Sequence, residues 1–215
     1  MTPSRSRPDA SSSGKRTRPR VLPRGFYDRD ALVVAPDLLN KVLVRTGDGA
    51  RLAARIVEVE AYRGAEDPGS HAFRRQTLRN ATMFGPPGRL YVYFSYGNHW
   101  CMNAVCGPGQ EPHAVLLRAA APLAGIDAMR ERRVAARRDR DLCSGPGRLG
   151  QAFGVDRSYD DLDLVRGVLR IVDDGVAPPS RPGVSRRIGL GAGKGDELPY
   201  RFYVPGNENV SRAPR

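Results

Sequence analysis

Arg89–Cys106 reads RLYVYFSYGNHWCMNAVC: two runs rich in aromatic and β-branched residues around Gly97-Asn98. Such runs flanking Gly-Asn predict a β-hairpin, with strands over Arg89–Tyr96 and His99–Cys106. Period-two alternation puts Tyr91 and Tyr93 on one face of the first arm and Phe94 and Tyr96 on the other; Trp100 sits on the second arm. One face can pack in the core while the other stays exposed. Exposed aromatics on a basic protein are base-stacking platforms, and an aromatic at a hairpin tip can wedge into a duplex. An ordinary aromatic core is the alternative, and the pattern alone favours it.

Working outward, Lys41–Arg45 and Leu52–Glu60 read as two strands joined by a Gly47-Asp48-Gly49 turn. Upstream, Asp28 is positioned to cap a helix running to about Leu39, interrupted by Pro36. A polar stretch over Arg63–Arg75 leads to a short helix over Thr77–Phe84, stopped by Gly85-Pro86-Pro87. Beyond the hairpin come a strand at Ala114–Arg118, a basic helix from Pro122 to about Arg138 and a shorter helix at Gly147–Phe153. Late strands fall at Val168–Val172, Arg186–Leu190 and Tyr200–Val204. Strands and helices do not alternate regularly. The order therefore predicts an α+β fold: a single mixed domain with a curved, largely antiparallel sheet flanked by helices and a protruding β-hairpin.

The chain has 215 residues, enough for one domain of residues 23–215 behind a basic tail of residues 1–22 expected to be disordered. The net charge of +12 points to a polyanionic partner, of which nucleic acid is the commonest. Only Lys15, Lys41 and Lys194 are lysines, so arginine carries most of the charge. Three cysteines without CxxC spacing argue against a disulfide framework or a zinc site, and suit a reducing compartment. No run is apolar enough to span a bilayer and no signal-type apolar region follows the N-terminus. The expected place is the cytoplasm, with the nucleoid, in a bacterium and the nucleus in a eukaryote.

Gly189–Gly195 (GLGAGKG) lacks the Ser or Thr that a phosphate loop requires after its lysine, and reads as a flexible loop. His71, His99 and His113 show no ligand spacing; no metal and no cofactor are expected. Glu58 and Glu60 end an apolar strand and share one face, with Tyr62 if the strand continues. An acid and an aromatic so placed can floor a pocket, although a solvated strand face is what the pattern alone favours.

The pieces RIVEVEAYRGAEDPGSHA, QTLRNATMF, GRLYVYFSYG with WCMN, AVLLRAA, LCSGPGRLGQAFGV, RIGLG and RFYVPGNENVS, in that order over most of residues 26–211, closely resemble the alkyladenine (3-methyladenine) DNA glycosylase family. The resemblance implies a base-excision enzyme that flips an alkylated or deaminated purine out of double-stranded DNA and hydrolyses its bond to the sugar. Glu60, in EAY, would activate the water, and Arg118 would help to hold it. Tyr62 and Tyr93 would stack on the two faces of the base, and His71 would contact it. Asn103 would crowd the 2-amino group of guanine, and Tyr96 would intercalate into the gap. The hairpin tip, Gly97-Asn98-His99-Trp100, departs from the Met-aromatic tip common in the family, which leaves its insertion depth open.

No lysine falls in a matched motif, so hydrolysis without a lyase step is expected. The expected partner is duplex DNA with damaged purines, bound by a monomer and with no membrane involved. Two other readings stay open: a non-catalytic nucleic-acid binding domain on the same scaffold, and an RNA-directed protein.

Overall fold

Branched apolar residues recur along Val42–Gly47, Ala50–Tyr62, the two hairpin arms and residues 114–120, and extended chain is what they form. The computed structural model describes residues 18–47, 49–95 and 97–211. In chain order its strands are β1 (Arg20–Val21), β2 (Val42–Gly47), β3 (Ala50–Tyr62), β4 (Arg89–Ser95), β5 (His99–Cys106), β6 (His113–Ala124), β7 (Leu162–Asp163), β8 (Leu169–Asp173), β9 (Gly183–Ser185) and β10 (Arg201–Tyr203). They form one curled sheet in the order β1-β8-β2-β3-β6-β5-β4-β7, with every pairing antiparallel. Helices α1 (Arg24–Tyr27), α2 (Ala31–Leu38), α3 (Ile126–Arg132) and α4 (Pro146–Ala152) flank it. The α+β class, the antiparallel curved sheet and the hairpin are as the sequence predicts.

β3 organises the sheet. One edge pairs with β6 along most of its length; the other pairs with β2 through Arg55 and then with β10 at Glu58–Glu60. Ile56, Val59 and Ala61 enter the main core with α2, Met102 and Leu117, whereas Glu58, Glu60 and Tyr62 take the opposite face. A smaller core of Ala72, Met83, Tyr91, Val105 and Ala114 forms on that second face.

Several boundaries differ from the sequence reading. The cap of α2 is Asp30, not Asp28: its carboxylate accepts from Leu32 N at 2.8 Å. No helix opens at Pro122, because β6 runs on to Ala124, and α3 begins only after a turn at Gly125. Pro122 lacks an N–H and sits beside a register shift at Ala53/Ala54, where a missing ladder bond costs little. Arg186–Leu190 is not a strand; the amide of Ile188 donates to a carboxylate instead of a ladder. Only Ala81–Phe84 of the expected Thr77–Phe84 helix coils, as a 3-10 turn. Arg20 and Val21, counted in the expected 1–22 tail, pair with Asp173 and Val172. Residues 1–17 lie outside the described residues, as do Asp48 and Tyr96.

Candidate active site

The site is built on four neighbouring strands. Register sets Glu60 opposite Leu116, Leu116 opposite Asn103, and Asn103 opposite Tyr91, so one row of side chains crosses β3, β6, β5 and β4. Beside it, Tyr62 faces Ala114, and Tyr93 faces Cys101. Arg118 has no partner in the β3–β6 register: Glu58 pairs with Ala119 and Val59 with Leu117. A bulge of this kind re-aims one side chain, and here it turns Arg118 onto the two glutamates.

Glu58 and Glu60 are fully buried, not solvated as the strand pattern suggested. Glu58 Oε1 accepts from Arg118 Nε at 3.0 Å, Arg201 Nε at 2.7 Å and Ser211 Oγ at 2.8 Å, and Oε2 accepts from Ser211 N at 2.6 Å. Two arginines and Ser211 thus share that carboxylate, which suits a structural anchor. Glu60 is held more sparingly. Its Oε1 accepts from Ile188 N at 2.7 Å and pairs with Arg118 Nη1 at 3.1 Å; among the described residues its Oε2 accepts only from the Tyr62 hydroxyl, at 2.9 Å. A carboxylate oxygen has two lone pairs, so Oε2 keeps room for one more donor. Burial opposes the charge on Arg118, but Glu60 and Glu58 outweigh it and raise its pKa, so it stays a cation.

Above this pair lies a cavity of about 760 Å³ whose walls include Tyr62, His71, Tyr91, Tyr93, Asn103 and Arg118. Glu60 is not itself on the wall; Tyr62 and Arg118, which bond to it, are. Tyr91 and Tyr93 stack with ring centres 5.7 Å apart, and His71 meets Tyr93 edge-on at 4.6 Å. His71 Nδ1 lies 2.9 Å from the Tyr91 hydroxyl. Burial pushes that hydroxyl up to about 12, so it stays protonated. Partial loss of surrounding water, and then the charge of Arg79, lowers the pKa of the still exposed His71 and favours neutral imidazole. Burial and then the charge of Glu60 raise Tyr62, so its hydroxyl remains a donor. Asn103 is buried and donates to the Tyr91 carbonyl at 3.2 Å. The chamber is thus walled by aromatic side chains together with Arg79, Arg148 and Arg118, and Arg118 carries the contact to the Glu60 carboxylate behind it.

The structure brings Glu60, Arg118, Tyr62, His71, Tyr93 and Asn103 together. Tyr96 lies outside the described residues. Residue-by-residue reading passed over Asp67 and Arg187, which support this site. Arg187 Nη2 donates to Asp67 Oδ1 at 2.7 Å and Nη1 to the Ala61 carbonyl at 3.0 Å, both charges being buried. Asp67 also accepts from the amides of Arg63 and Gly69, and so shapes the loop that carries His71. Both residues sat inside quoted motifs, GAEDPGSHA and RIGLG, and a buried charge pair was the signal to seek there.

The family model for methylpurine-DNA glycosylases matches residues 25–208. A relative from Burkholderia cenocepacia is 54% identical over 195 residues, covering 90% of this chain and 92% of its own length. One from Streptomyces avermitilis is 46% identical, covering 88% and 90%; one from Carboxydothermus hydrogenoformans is 46% identical, covering 89% and 99%. All three carry the provisional name 3-methyladenine DNA glycosylase.

Proposed function

The chain belongs to the methylpurine-DNA glycosylase family, and from that premise we propose that it excises 3-methyladenine, 7-methylguanine, hypoxanthine and ethenoadenine from duplex DNA by hydrolysis at Glu60. It is a DNA glycosylase, a hydrolase of N-glycosidic bonds acting on damaged DNA. The observation that supports the mechanism is the buried Glu60 carboxylate, bonded by Tyr62 and Arg118, two residues that line the aromatic chamber.

A flipped purine enters between Tyr62 and Tyr93, with His71 at its edge and Asn103 against the place of a guanine 2-amino group. Tyr96, at the hairpin tip, fills the gap left in the duplex. A water donates one hydrogen bond to Glu60 Oε2 and is flanked by Arg118. As the bond between the base and C1′ breaks, the water oxygen bonds to C1′, its proton passes to Glu60, and the base leaves with the bonding electron pair. Positive charge develops on the sugar, and the Glu60 carboxylate stabilises it. A cationic base such as 3-methyladenine departs neutral and gains a cation–π term from the tyrosines while bound. Hypoxanthine and ethenoadenine require protonation on the way out.

The product is an abasic site on an intact strand. Lys41 is paired with Asp173 at 2.9 Å, and neither it nor Lys194 lines the cavity, which supports a reaction without a Schiff base.

The test is base release from a duplex with a single lesion, read as alkali-dependent strand breakage. Wild type should release the base and Glu60→Gln should not. Release by Glu60→Gln at the wild-type rate, or strand breakage without alkali, would overturn this mechanism.

A further inference from the structure

Leu78 is 96% exposed, the most exposed of the large apolar side chains among the described residues. It is not on a frayed segment. Thr77–Asn80 is a tight turn closed by Asn80 N donating to the Thr77 carbonyl at 3.2 Å, and Leu78 holds its first corner. Asn80, buried, locks the turn from beneath: its Oδ1 accepts from Thr77 N at 2.6 Å and Thr77 Oγ1 at 2.9 Å. Its Nδ2 donates to the carbonyls of His71 at 2.7 Å and Arg75 at 3.1 Å. Turn corners favour Gly, Pro, Asn, Asp and Ser for their backbone and hydrogen-bonding preferences, and leucine shares none of these. Held rigidly in this way, the leucine projects from the surface instead of folding back onto it.

Position and charge identify what it meets. The next residue, Arg79, lines the cavity, with its guanidinium 5.8 Å from the Tyr93 ring and Nη2 3.4 Å from the Phe94 carbonyl. The turn is therefore fastened to the hairpin arm two residues before Tyr96, at the mouth of the site. Arg74 and Arg75 precede it, both exposed. An apolar tip set among arginines beside a base-sized cavity suits duplex DNA: the cations meet phosphates, and the tip enters the stack. Leucine is among the side chains that wedge between base steps.

Resting on the glycosylase reading above, we propose that Leu78 is a second wedge, which unstacks the base pair beside the lesion while the β4–β5 hairpin enters next to it. Its role is to hold the duplex open, not to touch the reacting atoms.

The experiment compares wild type, Leu78→Ser and Leu78→Met on one ethenoadenine lesion, in a duplex and in the same strand alone. A neighbouring 2-aminopurine in the duplex reports unstacking by a gain in fluorescence. Leu78→Ser should release the base from the duplex about tenfold more slowly, with the 2-aminopurine gain lost, while release from the single strand stays unchanged. Leu78→Met should behave as wild type. Equal slowing on both substrates, or an unchanged 2-aminopurine gain with Leu78→Ser, would overturn the proposal. Because the fluorescence does not depend on bond cleavage, a wild type that unstacks DNA through Leu78 but releases no base would instead overturn the hydrolytic mechanism and leave the wedge standing.

Discussion

The guanidinium of Arg187 lies 4.6 Å from the centre of the Tyr62 ring, and Asp67 holds it there through a buried, forked ion pair. One face of Tyr62 is thereby covered, which leaves the other as the face a base would stack on under the proposed mechanism. The next residue in the chain, Ile188, gives its amide to Glu60. A single dipeptide thus braces both the Tyr62 ring and the Glu60 carboxylate, and under the proposed mechanism it couples base capture to hydrolysis.

Arg187→Lys tests that coupling. A lysine is a point charge on a flexible stem; it cannot fork onto Asp67 and lie flat on a ring at once. The variant should fold, bind lesion DNA more weakly and excise about tenfold more slowly, with its pH profile unchanged because Glu60 keeps its own partners. Single-turnover rates across lesion concentrations separate the two effects. A rate as fast as wild type would mean that Tyr62 needs no backing.

The two buried glutamates should respond differently to the same change. Glu58→Gln removes the charge that two arginines share, and breaking a buried pair of this kind costs about 3 kcal/mol. Urea denaturation should show that loss. Glu60→Gln keeps an acceptor for the Ile188 amide, so it should be milder on folding, yet it should slow base release by about a hundredfold or more, as expected for loss of a general base. The reversed pattern, with Glu58 controlling chemistry, would reassign the catalytic carboxylate.

His71 sets an acid limit. Its pKa is lowered by partial loss of surrounding water and by Arg79, so the folded protein resists taking the proton. As pH falls below the ordinary value near 6.5, the unfolded chain binds a proton that the folded chain does not, and stability falls until the folded value is passed. Once protonated, His71 also repels a cationic base. Excision of cationic 3-methyladenine should therefore decline as pH drops below the folded value, more steeply than excision of hypoxanthine, and His71→Gln should flatten the difference. Parallel profiles for the two bases with wild type would remove His71 from base selection.

Much of this was legible in the sequence because strands advertise themselves by alternation. The hairpin at Gly97-Asn98, the pair β2–β3 and the shared face of Glu58, Glu60 and Tyr62 all follow from period two. What alternation does not encode is what covers a face. The glutamates looked solvated because Arg118, Arg201, Ile188 and Ser211, which bury them, come from distant parts of the chain. Arg118 itself reaches them through a bulge, which breaks the alternation that a sequence reading relies on. The helix expected from Pro122 failed for a related reason: pairing with β3 holds that segment extended against its local signals.

The last prediction concerns how the hairpin is aimed. α4 lies against β5 with Gly150 beneath Trp100, and a Cβ on Gly150 would overlap the Trp100 carbonyl oxygen. That oxygen is backbone in the hairpin's second arm, so it can yield only by moving the arm. Gly150→Ala should therefore cost about 1–3 kcal/mol in overpacking, despite the better helix propensity of alanine. Gly25 in α1 is the contrast, since nothing stands within 4 Å of its added Cβ. Gly25→Ala should be neutral or stabilise by about 0.4–1 kcal/mol. Because the displaced arm carries Cys101 and Asn103 on the cavity side, Gly150→Ala should also reduce excision even at temperatures where it is fully folded, whereas Gly25→Ala should not. Thermal melts paired with base-release rates check both. A Gly150→Ala protein as stable and as active as wild type would show that α4 does not fix the hairpin.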